Sequence, residues 1–321
     1  MQINLQHVPK TSYVDLEVLY DTVIVGGGPA GFNAALYAKR KGLKTLLITH
    51  DVGGQLENTS IVDNYLGFHT IDANDLTKAF LDHVKSLEVP IITEQYIRKI
   101  EKKDGIFYLS MANFDMVQSK TVVIATGGSH KKLGVKGEDE FANKGVSYCA
   151  ICDAPFYKDK HVLVAGGGNS AVEAAIDLSK WATKVTIVQR SVLRADKILI
   201  DKMNEIDNIS VILQTSIKEI IGSITMEGVK TINNQTLEEG YIEADGLFVE
   251  IGTLPNSLLV KDLVELNGYG EIIVNSNQET SLEGMYAAGD VTNEPFKQII
   301  IAASAGAKAV LSLDQYLKTK K

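Results

Sequence analysis

Cysteines at 149 and 152 with an aspartate at 153 spell Cys-Ala-Ile-Cys-Asp, and these two cysteines are all the chain has. Two thiols three residues apart can close a disulfide ring, and each lowers the other's pKa enough to supply a reactive thiolate near neutral pH. Electron transfer is the chemistry this spacing suits. A carboxyl whose pKa is raised by partial burial can protonate a leaving thiolate and later take the proton back, so Asp153 is the expected general acid–base; a helix-capping or turn role is the competing reading. Structural zinc needs four donors, and His7, His50, His69, His83, His130 and His161 offer no closely spaced pair to complete such a site. An inert buried pair is the remaining alternative.

These residues need elements to carry them. Thr22 to Val25 reads as a short β-branched strand running into Gly26-Gly27-Gly28-Pro29-Ala30-Gly31 and a helical stretch, Phe32 to Ala38. That is a dinucleotide fingerprint in its required setting: Gly26 permits the tight turn, Gly28 lets backbone N–H groups approach a pyrophosphate, and Gly31 lets helix and strand pack closely. A second strand, Thr45 to Thr49, ends at Thr49-His50, so the usual acidic residue is expected to be missing there. The pattern repeats at His161 to Ala165, followed by Gly166-Gly167-Gly168-Asn169-Ser170-Ala171, an alanine-rich helix and a strand from Lys184 to Val188. One such loop is a weak signal; two, each between strand and helix, are strong. The last strand ends in Gln189, with Arg190, Ser191 and Arg194 following, cations and a hydroxyl suited to a 2′-phosphate. NADPH is therefore the first expectation and NADH the second, with ordinary solvated arginines as the plain alternative.

Leu282 to Asp290 reads as a strand ending in Gly289-Asp290, where a small residue admits a cofactor and a carboxylate can accept sugar hydroxyls. An apolar helix from about Lys297 to Leu317 carries Ala302, Ala303, Ala305, Gly306 and Ala307, small enough for backbone to approach a flat ring system. Strands from Val122 and Gly246 run into Thr126-Gly127-Gly128 and Gly252 and read as hinge segments. They place one nucleotide-binding domain at 130–253, inserted into a discontinuous one at 1–129 and 254–321. Residues 1 to 20 read as a packed N-terminal arm.

Composition limits what such a molecule does. With 321 residues, 45% hydrophobic and 22% charged, the chain reads as a globular protein of about two domains. A net charge of -8 and a pI near 5.4 argue against nucleic acid. Apolar runs such as Ile299 to Ala303 are too short to span a membrane, and no secretory leader is recognised, so a cytoplasmic location is expected. In a reducing compartment a CxxC is rarely a structural staple.

Taken together, GGGPAG at 26–31, GGQLENTSIVDNYLG at 53–67, IATG at 124–127, YCAICD at 148–153, GGGNSA at 166–171 and YAAGDV at 286–291 resemble low-molecular-weight thioredoxin reductases. They are equally similar to the reductase core of the alkyl hydroperoxide reductase flavoprotein subunit, and the resemblance runs from residue 21 to 318. It implies an α/β fold of two Rossmann-like domains of three-layer ββα type, the second inserted into the first. It implies FAD in the outer domain, with Gly26, Gly28, Pro29, Ala30 and Gly31 at the pyrophosphate and Gly53, Gly54, Gln55, Asn64, Thr126 and Gly127 along the flavin. Gly289, Asp290, Gln298 and Ile299 would close over it. For Gln55 and Asn64 the plain alternative is loop support, and for Gln298 a helix cap.

The inserted domain would take NADP(H) at Gly166, Gly168, Asn169, Ser170 and Ala171, with Gln189, Arg190, Ser191 and Arg194 at the 2′-position. NADPH-using relatives show His-Arg-Arg and a further arginine there; Gln-Arg-Ser-Val-Leu-Arg matches in part and is one residue shorter. NADH, and ferredoxin as in divergent members, stand behind NADPH as donors. By resemblance Cys152 faces the flavin, Cys149 is the interchange thiol, and the protein is a homodimer passing electrons to thioredoxin or a thioredoxin- or glutaredoxin-like protein. The larger glutathione-reductase type keeps its cysteines in the first domain, where His50 to Gln55 has none. An NADH-driven reductase of a peroxiredoxin system, a ferredoxin-driven thioredoxin reductase and a flavin-bearing redox sensor are the rival functions. Because one disulfide cannot meet both flavin and partner at once, a rigid-body rotation about Thr126–Ser129 and Gly252–Pro255 is expected.

Overall fold

The structure is a computed structural model that describes residues 14–58, 61–113 and 115–320. Of the N-terminal arm expected over residues 1 to 20, the first thirteen lie outside the described residues. Val14, Leu16 and Val18 pack against the core, and the Tyr20 hydroxyl donates to the Asp15 carbonyl at 2.9 Å.

The chain divides into two compact units, one formed by the described parts of Met1–Glu57, Tyr65–Gly128 and Pro255–Lys321, the other by Asn58–Asn64 and Ser129–Leu254. Of that short stretch, the described residue Asn64 clusters with the inserted unit.

In the outer unit a parallel sheet runs Ile91–Ile92, Thr45–Val52, Leu19–Gly27, Met116–Ile124. The long strand Met116–Ile124 divides its outer edge: its first half pairs antiparallel with Ile106–Met111, its last residues pair in parallel with Met285–Ala287. Side-chain alternation sends Val23 and Val25 to one face and Ile24 to the other. On the first face Val23 and Val25 meet Phe107, Leu109 and Met111 of the antiparallel arm; on the second, Ile24 meets the helices Pro29–Arg40 and Ile299–Thr319. The result is helix, parallel sheet and antiparallel arm in three layers.

The inserted unit repeats this plan. Its parallel sheet runs Val146–Ser147, Gly246–Val249, His161–Ala165, Lys184–Val188, Ile209–Ile212. Val162 and Val164 face the helix Asn169–Leu178, while Leu163 and Ala165 face Ile217, Met226 and Val229 of the antiparallel sheet Thr215–Gly222, Met226–Asn233, Glu239–Glu243. Two Rossmann-like domains of three-layer type are therefore what the alternation builds.

Several boundaries differ from the sequence reading. The strand expected over Thr45 to Thr49 continues to Val52, because pairing with the first strand shifts register between Val25 and Gly27 and resumes at Gly27 with Val52. Asp51 consequently stands near its end, exposed and bonded to His50 Nδ1, so an acidic residue is present where none was expected. The strand read from Leu282 is only Met285–Ala287. The small residues of the last helix are spent on helix packing: a Cβ on Gly306 would overlap the Ala30 carbonyl, and Asn33 donates to the Ala303 carbonyl at 2.6 Å. Close approach there serves the neighbouring helix.

Candidate active site

Cys149 and Cys152 form a disulfide with Cα atoms 5.3 Å apart. Cys149 stands at the N-cap of the single helical turn Ala150–Asp153, and its Sγ accepts the Cys152 N–H at 3.3 Å. Immediately before it, buried Ser147 ends the edge strand Val146–Ser147. The Ser147 Oγ accepts the Cys149 N–H at 3.1 Å and is also hydrogen-bonded to the Asp153 carboxyl. One hydroxyl therefore joins the proposed acid to the backbone of the first cysteine.

Burial raises the Asp153 pKa above the ordinary carboxylate range, the Ser147 bond holds part of that rise back, and Asp63 adds to it. Asp153 does precede the short turn Ala154–Tyr157, but its side chain makes no capping bond. Tyr157, on the same turn, is pushed up to about 12 by burial, with Asp153 and Asp245 contributing.

Two further carboxylates reach the redox turn that sequence reasoning missed. Glu138 is buried, accepts the Leu133 and Gly134 N–H groups at 2.8 and 2.7 Å, and accepts the Tyr148 hydroxyl at 3.0 Å. Tyr148, next to Cys149, also stacks on His130 with ring centroids 5.5 Å apart. Glu250, just past the strand Gly246–Val249, accepts the Ala150 N–H. Burial pushes Glu250 up to about 7, the Ala150 bond opposes the rise and Glu173 reinforces it. Ser147 had a local signal, a serine two residues before the cysteine; Glu250 had none, because it arrives through the sheet.

Each unit carries one of the expected glycine-rich turns. In the first, Gly26 has φ 116°, and a Cβ on Gly31 would overlap its carbonyl. The helix Pro29–Arg40 opens on Gly28 with no side-chain cap and no acidic residue in its first turn. In the second, Gly166 has φ 145°, and the helix Asn169–Leu178 likewise opens on Gly168 with no side-chain cap and no acidic residue. By contrast the helix Ala73–Ser86 is capped by Asp72, which accepts the Asn74 and Asp75 N–H groups. First-turn N–H donors without intrahelical partners or a capping side chain suit an anion, so both turns fit a dinucleotide pyrophosphate.

The remaining expected residues are placed as follows. Gly53 and Gly54 have φ 109° and 60°, and the Gln55 amide donates to the Gly128 carbonyl at 2.6 Å. Thr126 donates its hydroxyl to the Asn256 carbonyl at 2.7 Å beside Gly127, φ 65°. Gly289 lies against Ala30, since a Cβ on it would come within 3.0 Å of the Ala30 Cβ. Burial raises the pKa of the adjoining Asp290, Lys297 pulls it back, and no hydrogen bond from a described residue reaches its carboxylate. That unpartnered carboxylate beside the first turn fits a ligand bearing hydroxyls. Gln298 stands at the N-cap of the helix that Ile299 begins, without a side-chain capping bond.

In the second turn, Asn169 and Asp196 bond each other reciprocally, both contacts at 2.8 Å, and the Arg194 N–H donates to the Gly167 carbonyl at 2.6 Å. These bonds hold the 189–196 loop against the glycines. Ser170 and Ala171 lie in the helix, Ser191 is half-buried, and Arg190 and Arg194 are exposed. Gln189 is buried and committed to its own loop: its amide donates to the Val192 carbonyl at 3.1 Å and its oxygen accepts the Arg190 N–H at 3.0 Å. Among the described residues no helix is long and apolar enough to cross a membrane.

A family model for pyridine nucleotide-disulphide oxidoreductases matches residues 20–306. The chain is 39% identical over 299 residues to an alkyl hydroperoxide reductase component of Staphylococcus aureus, covering 93% of this chain and 59% of that protein. It is also 39% identical to a protein named NADH dehydrogenase in Bacillus subtilis, covering 93% of this chain and 58% of the other. The chain thus spans less than two thirds of these curated relatives. Among solved structures, thioredoxin reductase from Streptococcus pyogenes superposes with a TM-score of 0.88 at 38% identity, covering 94% of this chain and 99% of that one.

Proposed function

The chain belongs to the pyridine nucleotide-disulphide oxidoreductase family, and on that footing we propose that it is a FAD-dependent reductase passing electrons from NADPH through Cys149 and Cys152 to thioredoxin or a thioredoxin-like protein. The observation that carries this reading is the disulfide itself, set in a turn where Ser147 ties Asp153 to Cys149. The turn Gly26–Gly31 with Gly54, Gln55 and Asp290 would hold FAD, which when bound would supply the link between a hydride donor and a disulfide acceptor.

The chain's own residues do the rest. Asp153, kept protonated toward higher pH by burial, holds the proton a leaving thiolate needs when the ring opens. When the dithiol meets a partner disulfide, Cys149 attacks one partner sulfur, the displaced partner thiolate takes a proton, and Cys152 then displaces the second partner thiol as the ring closes. One disulfide is formed, one is broken, and Asp153 is returned to its starting state by the protons exchanged. The 189–196 loop presents Arg190 and Arg194 beside the second turn, where a 2′-phosphate would be recognised.

Rotation of one unit against the other is part of the proposal. The connecting strands Gly128–His130 and Thr253–Pro255 pair as a two-stranded ribbon. Its ends are tied separately, Asn256 N–H to the Gly127 carbonyl and Lys131 N–H to the Gly252 carbonyl. Glycines with φ 65° and 102° at 127 and 252 permit the bend. A cross-link fixing the two units should abolish partner turnover; full activity in the cross-linked protein sinks the rotation.

Relatives named for alkyl hydroperoxide reduction and NADH oxidation favour a second reading, an NADH-driven reductase of a peroxiredoxin system. Stopped-flow mixing of the flavoprotein with NADPH, NADH and reduced ferredoxin separates the donors, and addition of thioredoxin or a peroxiredoxin separates the acceptors. Cys149→Ser should leave flavin bleaching by nucleotide intact while eliminating partner reduction. Loss of both would show that Cys149 has another role.

A further inference from the structure

Glu271 and Lys297 form an ion pair at 2.9 Å, with side chains 17% and 23% exposed, so solvent screens it little. The carboxylate is held from its other side as well. Its second oxygen accepts the Asn267 amide at 2.7 Å, and the Asn267 oxygen accepts the Glu271 N–H at 3.0 Å. The Lys297 ammonium also donates to the Thr292 carbonyl at 2.6 Å. Thr292 closes a turn around Asp290, its N–H and hydroxyl both donating to the Gly289 carbonyl, at 3.0 and 2.7 Å. We propose that Glu271 is a positioning residue for Asp290: by holding Lys297 it fixes the turn Gly289–Thr292 and keeps the Asp290 carboxylate free for the hydroxyls of a bound FAD.

The backbone already brings the two segments together. The Ile272 N–H donates to the Val291 carbonyl at 2.9 Å and the Asn293 N–H to the Ile272 carbonyl at 3.0 Å, so residues 291–293 lie along the neighbour of Glu271. Lys297 is thereby bonded to the turn that carries Asp290, and its charge acts on the Asp290 carboxyl against the effect of burial. Two carboxyl groups compete for one cation. Glu271 takes it, because Asn267 fixes that carboxylate against the ammonium. Without the Glu271 charge, the half-buried ammonium keeps only the Thr292 carbonyl and turns to the remaining carboxylate. Lone pairs spent on an ammonium are lost to sugar hydroxyls.

The inference rests on the reading of Asp290 as a contact to FAD, and its readout is flavin affinity. The full chain, freed of flavin, is titrated with FAD and followed by flavin fluorescence. Glu271→Gln should raise the Kd about tenfold, while Lys297→Gln and the neutral pair Glu271→Gln/Lys297→Gln should each stay within about threefold of the parent, since neither carries a cation beside Asp290. Glu271→Asp keeps the charge and should restore most of the binding lost in Glu271→Gln. In an Asp290→Asn background Glu271→Gln should cost less than about twofold, because a neutral amide no longer competes for Lys297. A purely structural ion pair would instead give additive losses with Asp290→Asn, and a neutral pair as weak as Glu271→Gln; either result, or no loss in Glu271→Gln, overturns the proposal. If Glu271→Gln does not fold, Lys297→Gln decides: a loss within about threefold sustains the proposal, and one of about tenfold places Lys297 on the flavin itself and overturns it. A parent chain that takes up no FAD refutes the flavoprotein reading and this inference with it; a parent that binds FAD with the wrong pattern among the variants overturns this inference alone.

Discussion

A Cβ on Gly28 in the first glycine-rich turn would meet the Gly53 carbonyl oxygen at 3.8 Å, and one on the facing Gly54 would stand 3.4 Å from the Gly28 Cα; at the matching place in the second turn Gly168 has open space to 4 Å. The first turn is hemmed in further by Gly289 against Ala30 and by Gly306 against the Ala30 carbonyl. The second is bordered by a loop carrying exposed Arg190 and Arg194. Both begin alike, with a positive-φ glycine after a buried parallel strand and an uncapped helix opening on glycine. The difference teaches how one local motif serves two purposes. Enclosure by backbone suits a resident cofactor that is kept, and an open turn beside exposed cations suits a nucleotide that comes and goes.

Substitution at the two turns should break this comparison unevenly. Gly31→Ala drives a methyl into the Gly26 carbonyl, which is backbone and has no room to retreat. The expected cost is about 3 kcal/mol of stability together with loss of flavin, read by thermal unfolding and by flavin absorbance after gel filtration. Gly168→Ala meets nothing within 4 Å, and its φ of -90° with ψ of -174° is extended backbone open to any residue. Its stability should stay within about 0.5 kcal/mol while the nicotinamide nucleotide KM rises about tenfold, because the methyl occupies space a pyrophosphate needs. Equal destabilisation by the two changes would dissolve the distinction between closed and open turns.

Much of this layout was legible in the chain, and the parts that were not share a cause. The paired cysteines, both glycine-rich turns and the interruption of the outer unit are local patterns, each readable within about ten residues. The hairpin Ile97–Lys103 and Ile106–Met111 also had its signal, Asp104-Gly105 at φ 50° and 79°, a turn sequence that the emphasis on nucleotide motifs passed over. The end of the second strand, with Asp51 near it, went unread because a register shift extends that strand past the point where propensity ends it. Glu138 and Glu250 meet the redox turn only through tertiary packing, so nothing near Cys149 in the sequence announces them. Gln189 is the converse case, for its position at the strand's end suggested a ligand contact, and its amide bonds Val192 and Arg190 within its own loop.

That bonding of Gln189 sharpens the comparison at its finest grain, because it sets a side chain bonded within the loop apart from the exposed cations proposed to read a 2′-phosphate. Arg190→Ala and Arg194→Ala each remove an exposed cation from the loop held at Gly167, and each should raise the KM for NADPH about fivefold while changing that for NADH less than twofold. Gln189→Ala instead leaves the Val192 carbonyl and Arg190 N–H without their partner and empties space against Gly167. Both nucleotides should then weaken together, by about twofold to threefold, with about 1 kcal/mol lost from stability. Steady-state KM values for the two donors, measured side by side, decide the matter. A change confined to NADPH in Gln189→Ala would mean that the side chain leaves its loop to meet the nucleotide, and the partition of roles along 189–194 would have to be redrawn.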